Sequence, residues 1–183
     1  AIEGSSVHLF CDANGRDRDD SQPGIIWLKD GITIDMGADD SRFSLIGKGG
    51  LEIGNVQESD AGSYTCRATN QEDSVDAVAT LIVHVEPRFI KQPTNIFAHE
   101  NADVEFECEV YGQPEPSVQW MKNGDIVFPS DYFQIIDGHN LRILGLVNSD
   151  QGLYQCIAEN DVGNIQASAQ LVILQQGINS RQS

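Results

Sequence analysis

Apolar and polar residues alternate along this chain in short runs, punctuated by glycine, asparagine and aspartate. From Asp103 to Val110 the residues Val104, Phe106, Cys108 and Val110 fall on one side, and Asp103, Glu105, Glu107 and Glu109 on the other. A period of two is that of a β-strand with one face in a core and the other in solvent. The same spacing joins Leu51 to Ile53 and Leu141 to Ile143, and apolar runs at Val78–Val83 and Ala169–Ile173 read as further strands. Asp30-Gly31 and Asn123-Gly124 are hairpin turn signals. The longest apolar runs, such as Leu171-Val172-Ile173-Leu174, are strand-sized and too short to cross a bilayer.

The pattern occurs twice. Asp60-Ala61-Gly62-Ser63-Tyr64-Thr65-Cys66 returns as Asp150-Gln151-Gly152-Leu153-Tyr154-Gln155-Cys156, and at the same offset Phe43 matches Phe133, Leu51 Leu141, Ile53 Ile143 and Val56 Leu146. Alternation places Tyr64 with Cys66, and Tyr154 with Cys156, on one strand face. A Tyr two residues before a Cys is a tyrosine corner, with its ring inside and its hydroxyl bonded to upstream backbone. Upstream of each copy stand a partner cysteine (Cys11, Cys108) and a tryptophan (Trp27, Trp120). Cys, Trp, Tyr and Cys in that order is the signature of an immunoglobulin sandwich. The expected fold is therefore all-β, two tandem I-set-like immunoglobulin sandwiches. Each has a disulfide, Cys11 with Cys66 and Cys108 with Cys156, and a structural core around Trp27 and Tyr64 or Trp120 and Tyr154.

The expected domains are 1–85 and 86–175, followed by a linker or disordered tail at 176–183. Ala1–Cys11 aligns with Ala98–Cys108, and in the second repeat Arg88-Phe89-Ile90-Lys91-Gln92-Pro93 precedes that segment as an edge strand. The first repeat has no counterpart, so its first strand is expected to be missing and the chain reads as a fragment or mature segment. Arg42 is expected to pair with Asp60 across the base of the first sandwich. Tyr132 occupies the matching place in the second, so Asp150 is expected to find another partner.

The segment between Cys11 and Trp27 is longer than its counterpart and carries Asp12, Asp17, Asp19 and Asp20. The spacing matches no EF-hand loop and Arg16 and Arg18 lie among the acids, so it reads as a solvated loop, not a metal site. Gly47-Lys48-Gly49-Gly50 lacks the rest of a phosphate-binding motif and aligns with the turn Asp137–Asn140, so it reads as a turn. The four histidines are scattered and no nucleophile or zincin motif occurs, which points away from an enzyme and from any cofactor. The four cysteines fall in two matched pairs, which points to an oxidising compartment. Reduced thiols would instead fit an intracellular structural immunoglobulin spacer.

The net charge is −17, from 28 acidic and 11 basic residues, and both halves are acidic. That argues against nucleic acid and anionic membrane as partners. Asp103, Glu105, Glu107 and Glu109 are expected to share the outer face of one strand. Charge runs are most often solvated faces; the sharper reading is a strip that binds a basic partner in a salt-dependent way. The adjacent strand is expected to supply Arg142 as partial compensation. No Asn-x-Ser/Thr acceptor is present, so no N-linked glycan shields either domain.

Cys108-Glu109-Val110-Tyr111-Gly112-Gln113-Pro114, Trp120-Met121-Lys122-Asn123-Gly124-Asp125, Pro129-Ser130-Asp131-Tyr132-Phe133, Asn140-Leu141-Arg142-Ile143-Leu144-Gly145 and Tyr154-Gln155-Cys156-Ile157-Ala158-Glu159-Asn160 resemble the fourth immunoglobulin domain of the DCC/neogenin/Frazzled netrin-receptor family. Phe89-Ile90-Lys91-Gln92-Pro93-Thr94-Asn95 carries the resemblance into the preceding stretch. The first domain would then be the third. The resemblance implies the extracellular part of a single-pass plasma-membrane receptor in axon guidance. Its implied partners are secreted guidance proteins of netrin type, or receptor ectodomains. In that family the principal netrin contacts are associated with fibronectin domains. The alternative is a homophilic neural cell-adhesion molecule.

Overall fold

The computed structural model describes residues 1–12, 23–37, 41–71 and 73–175. The tail at 176–183 and most of the acidic insertion, including Asp17, Asp19 and Asp20, lie outside the described residues. The chain divides into two compact units, Ala1–Val85 and Glu86–Ser183.

In the first unit the strands are β1 (Val7–Leu9), β2 (Gly24–Lys29), β3 (Ile32–Thr33), β4 (Phe43–Ile46), β5 (Gly50–Ile53), β6 (Gly62–Thr69) and β7 (Ser74–Leu81). They form a three-stranded sheet in the order β1-β5-β4 and a four-stranded sheet in the order β3-β2-β6-β7. Trp27, Leu51, Ile53, Val56, Tyr64, Cys66 and Leu81 fill the space between them.

The second unit repeats this plan with β8 (Val85–Lys91), β9 (Ile96–His99), β10 (Val104–Phe106), β11 (Glu109–Gln113), β12 (Ser117–Lys122), β13 (Asp125–Ile126), β14 (Phe133–Ile136), β15 (Asn140–Ile143), β16 (Gly152–Asn160) and β17 (Gly163–Leu174). The sheets are β10-β15-β14, with β11 paired to β8, and β13-β12-β16-β17-β9. Its core holds Phe106, Trp120, Leu141, Ile143, Leu146, Tyr154 and Leu171. These are the two tandem all-β sandwiches expected from the repeat. The closing strand β17 starts at Gly163, well before the apolar run from Ala169. Its first half pairs with the polar end of β16, down to Asn160 opposite Gly163.

Each tryptophan lies directly opposite the second cysteine of its disulfide, Trp27 against Cys66 and Trp120 against Cys156. Both disulfides are formed. Burying an indole requires a partner for its N–H. Trp27 Nε1 donates to the Gly49 carbonyl and Trp120 Nε1 to that of His139, each at 2.8 Å. The glycine-rich stretch at 47–50 is thus the turn joining β4 to β5, and it supplies that acceptor. Gly49 has φ +141, and a Cβ there would overlap Ile25 Cδ1. Gly49→Ala should therefore lower first-domain stability by about 1–3 kcal/mol, read as a shift in urea midpoint. An unchanged midpoint would show that Ile25 and the backbone adapt freely.

The hairpin turns are as sequence required. Asp30 and Gly31 have φ 49 and 83, and Asn123 and Gly124 have φ 48 and 87. Both central residues at positive φ define the turn that matches strand twist. Asp30 Oδ1 also accepts the Ser63 N–H, and Asn123 Oδ1 the Leu153 N–H, each at 2.9 Å, tying each turn to the neighbouring strand.

In the second unit β9 runs parallel to β17, with Ile96 opposite Leu171. In the first unit the matching interaction is a single parallel bridge, Ile2 with His84.

Candidate interaction surface

Beneath the candidate surfaces lie two tyrosine corners. Tyr64 donates to the Asp60 carbonyl and Tyr154 to the Asp150 carbonyl, both at 2.6 Å. The two aspartates end short 3-10 turns, Glu58–Asp60 and Asn148–Asp150. They are only 3% and 4% exposed, so each carboxylate needs partners inside the protein. One partner is shared in kind: the Gln57 N–H donates to Asp60 and the Val147 N–H to Asp150, at 2.8 Å. The other differs. Arg42 forks onto Asp60 at 2.6 and 2.7 Å, as its position in the sequence implied. Asp150 was expected to look beyond Tyr132, and here the expectation fails: the Tyr132 hydroxyl itself donates to Asp150 Oδ2. A phenol stands where the first domain uses a guanidinium, because either can reach a carboxylate from the same place on the sandwich.

The electrostatics follow from these contacts. Burial alone pushes the Asp60 carboxyl up. The hydrogen bonds from Arg42 and Gln57, with the charges of Arg42 and Lys29, outweigh it and hold the group below the usual carboxylate range. Burial, with the nearby Asp60 charge, pushes the Tyr64 hydroxyl up to about 12. Burial and the bond to Asp150 push Tyr132 up to about 12. These phenols stay neutral donors at physiological pH, which suits a structural role.

The acidic strip is not one continuous strand. β10 ends at Phe106 and β11 begins at Glu109. The chain changes partner at this point, from β15 to β8. Asn140 Oδ1 takes the Cys108 N–H, at 2.9 Å, in the gap. Alternating side chains could not reveal the break, because the alternation continues through it. All four carboxylates have internal contacts. Asp103 Oδ1 accepts the Gly145 N–H at 2.8 Å. Glu105 lies directly across from Arg142, with the side chains 3.4 Å apart. Lys91 approaches Glu107 at 3.9 Å and Glu109 at 3.8 Å. Four negative charges against two positive leave two negative in excess, and exposed pairs of this kind are worth only about 0–1 kcal/mol each. A shallow groove of about 210 Å³ beside it is lined by Gln92, Thr94, Glu105, Phe106 and Glu107.

On the opposite sheet, the outward positions are uncharged over most of their extent. One row across the strands runs Gln119, Ile157, Gln166, and the next Met121, Gln155, Ser168. The sequence does carry a signal for this face, the polar alternation Asn164, Gln166, Ser168, Gln170. Asn164, Gln166 and Ser168 precede the apolar run from Ala169, which is the part of β17 that hydrophobicity marks as strand. Among the described residues no three His, Cys, Asp or Glu side chains gather as a metal would require.

A model for the immunoglobulin I-set domain matches residues 1–83 and again 87–173. Human neogenin is 53% identical over 174 residues, which cover 95% of this chain and 12% of that protein. The netrin receptor DCC of Rattus norvegicus is 47% identical over 180 residues, covering 98% of this chain and 12% of that protein. The chain thus spans about an eighth of the length of these relatives. Among solved structures, a three-domain fragment of titin, I67–I69 in an E-to-A mutated variant, superposes with a TM-score of 0.82 at 27% identity, covering 96% of this chain and 62% of that one.

Proposed function

We propose a function for this chain from its membership: it belongs to the immunoglobulin I-set family, within the group of neogenin and DCC. On that footing it is the third and fourth immunoglobulin domains of a single-pass axon-guidance receptor, on the extracellular side of the plasma membrane. Its work is protein recognition and ectodomain architecture, with secreted netrin-type cues or other receptor ectodomains as partners. The observation that carries this reading is similarity to neogenin across nearly the whole chain, both domains included. The tight core placement of Trp27 and Tyr64, and of Trp120 and Tyr154, each beside a disulfide, supports recognition surfaces carried on a well-packed sandwich in each domain. Among the described residues no helix is long and apolar enough to cross a membrane.

Within this reading, Asp103, Glu105, Glu107 and Glu109 are the contact for a basic partner, and the groove beside Glu105 and Glu107 is of a size to receive a lysine or arginine head. The partner's cation would replace Lys91. The test is binding of the purified chain to an immobilised netrin-type ligand at low and physiological salt. Saturable binding is expected, weakened by salt and by Glu105→Gln, Glu107→Gln and Glu109→Gln together, and tightened by Lys91→Gln. Binding that ignores all four substitutions would remove the strip from the interface, and no binding at either salt would remove the ligand.

A further inference from the structure

The outer face of the five-stranded sheet stands apart from the rest of the second domain. After Glu86 the chain has 12 acidic and 5 basic residues. Yet the two rows Gln119, Ile157, Gln166 and Met121, Gln155, Ser168 carry no charge, and the adjacent Leu153–Gln170 pair carries none. Exposed apolar area is added by Phe97 on β9, 63% exposed, and by Leu153, 37% exposed. The carboxylate that interrupts the pattern is Glu159, in the end row opposite Ser117 and Asn164. An acidic domain has little physical reason to keep most of one sheet face neutral unless charge would be harmful there.

We propose that this face is a self-association surface, whose occupant is the same face of a second copy of the chain. Two observations select a second copy. The first is charge. Each copy carries −17, so any isologous contact through another acidic surface sets like charges together, whereas this face brings almost none across the two-fold. The second is chemistry. Primary amides and hydroxyls are both donors and acceptors, so a surface of Gln119, Gln155, Gln166, Ser168 and Gln170 can bond to a rotated copy of itself. A carboxylate surface cannot, because it only accepts. The five strands, of 2, 6, 9, 12 and 4 residues across the sheet, at ~3.4 Å per residue and ~4.8 Å apart give an area on the order of 500 Å². That is below the ~800 Å² per partner of a stable complex, which places the pair in the weak, transient class. The inference does not depend on which ligand the receptor reading requires.

The experiment is sedimentation equilibrium of the 183-residue chain up to about 1 mM, the range in which weak dimers appear. The chain should dimerise reversibly. Gln166→Glu with Gln170→Glu, both on exposed positions of β17, should raise the dimer Kd about tenfold or more at low salt, with the effect shrinking as salt rises. Gln134→Glu, the same chemical change on β14 of the other sheet, should leave it within about twofold. Unchanged thermal midpoints would certify that the variants fold. A chain that stays monomeric throughout overturns the proposal, even if the same face then binds a different immunoglobulin domain or a netrin-type ligand. So does a dimer that tolerates Gln166→Glu with Gln170→Glu, or one abolished by Gln134→Glu.

Discussion

Replacing Cys108 and Cys156 together by alanine should lower the thermal midpoint of the second domain by roughly 20 °C or more. The two cysteines are separated by 48 positions, and closing a loop of that length removes about 4 kcal/mol of chain entropy from the unfolded state. For a domain of this size each kcal/mol moves the midpoint by about 4–8 °C. The loss is larger still because both sulfurs are fully buried beside Trp120, where truncation leaves space that Phe106 and Tyr154 cannot readily fill. Changing both cysteines avoids a free thiol that could form adducts. Scanning calorimetry of the double variant against the parent chain is the measurement. A shift under about 5 °C would mean that the core alone holds this sandwich together, contrary to the entropy argument.

The second large effect is expected at the first domain's buried carboxylate. Arg42→Met should cost about 3 kcal/mol, because Asp60 would keep its charge while losing the bidentate guanidinium. The matching change in the second domain, Tyr132→Phe, should cost only about 1–2 kcal/mol, since it removes one hydroxyl donor and leaves the Val147 N–H in place. The pH dependence separates this from a mere packing defect. In the parent protein the folded Asp60 titrates below its unfolded value near 4. Its stabilising contribution is therefore complete above that range and is lost as pH falls through the folded value. In Arg42→Met only the Gln57 N–H and the Lys29 charge still oppose the burial, and the carboxyl rises. The difference between variant and parent should accordingly be greatest near neutral pH and narrow on acidification, as protonation removes the unpaired charge. Urea midpoints at pH 7, 5 and about 3.5 would show it. A difference independent of pH would assign the loss to the Arg42 contacts with Phe43 and with the Asn55 carbonyl.

Arg42 with Asp60 was legible because both ends are ionic and opposite, and the repeat placed them at the base of one sandwich. Tyr132 with Asp150 was missed because a tyrosine reads first as an apolar ring, and only its position shows that the hydroxyl reaches inward. The break between Phe106 and Glu109 was invisible for a different reason. Side-chain alternation reports faces, while strand continuity depends on which neighbour the backbone bonds to. Likewise Lys91 could not be assigned to Glu107 and Glu109 from spacing, since it arrives on β8.

What the amino-acid sequence determined by itself was whatever repeats locally: two sandwiches, two cysteine pairs with their tryptophans, two tyrosine corners, and turns whose residues tolerate positive φ. The turns and tyrosine corners depend on short spacings and intrinsic conformational preference, and the cysteine pairs with their tryptophans on the recurrence of the Cys–Trp–Tyr–Cys order, all of which can be read along the chain. Only the tertiary structure decided how much of the acidic strip is neutralised, and that the uncharged alternation of β17 continues across β16 and β12 as one largely neutral face. Charge compensation and surface continuity are sums over strands remote in sequence, and those sums exist only after Glu105 has met Arg142 and β17 has been laid against β16.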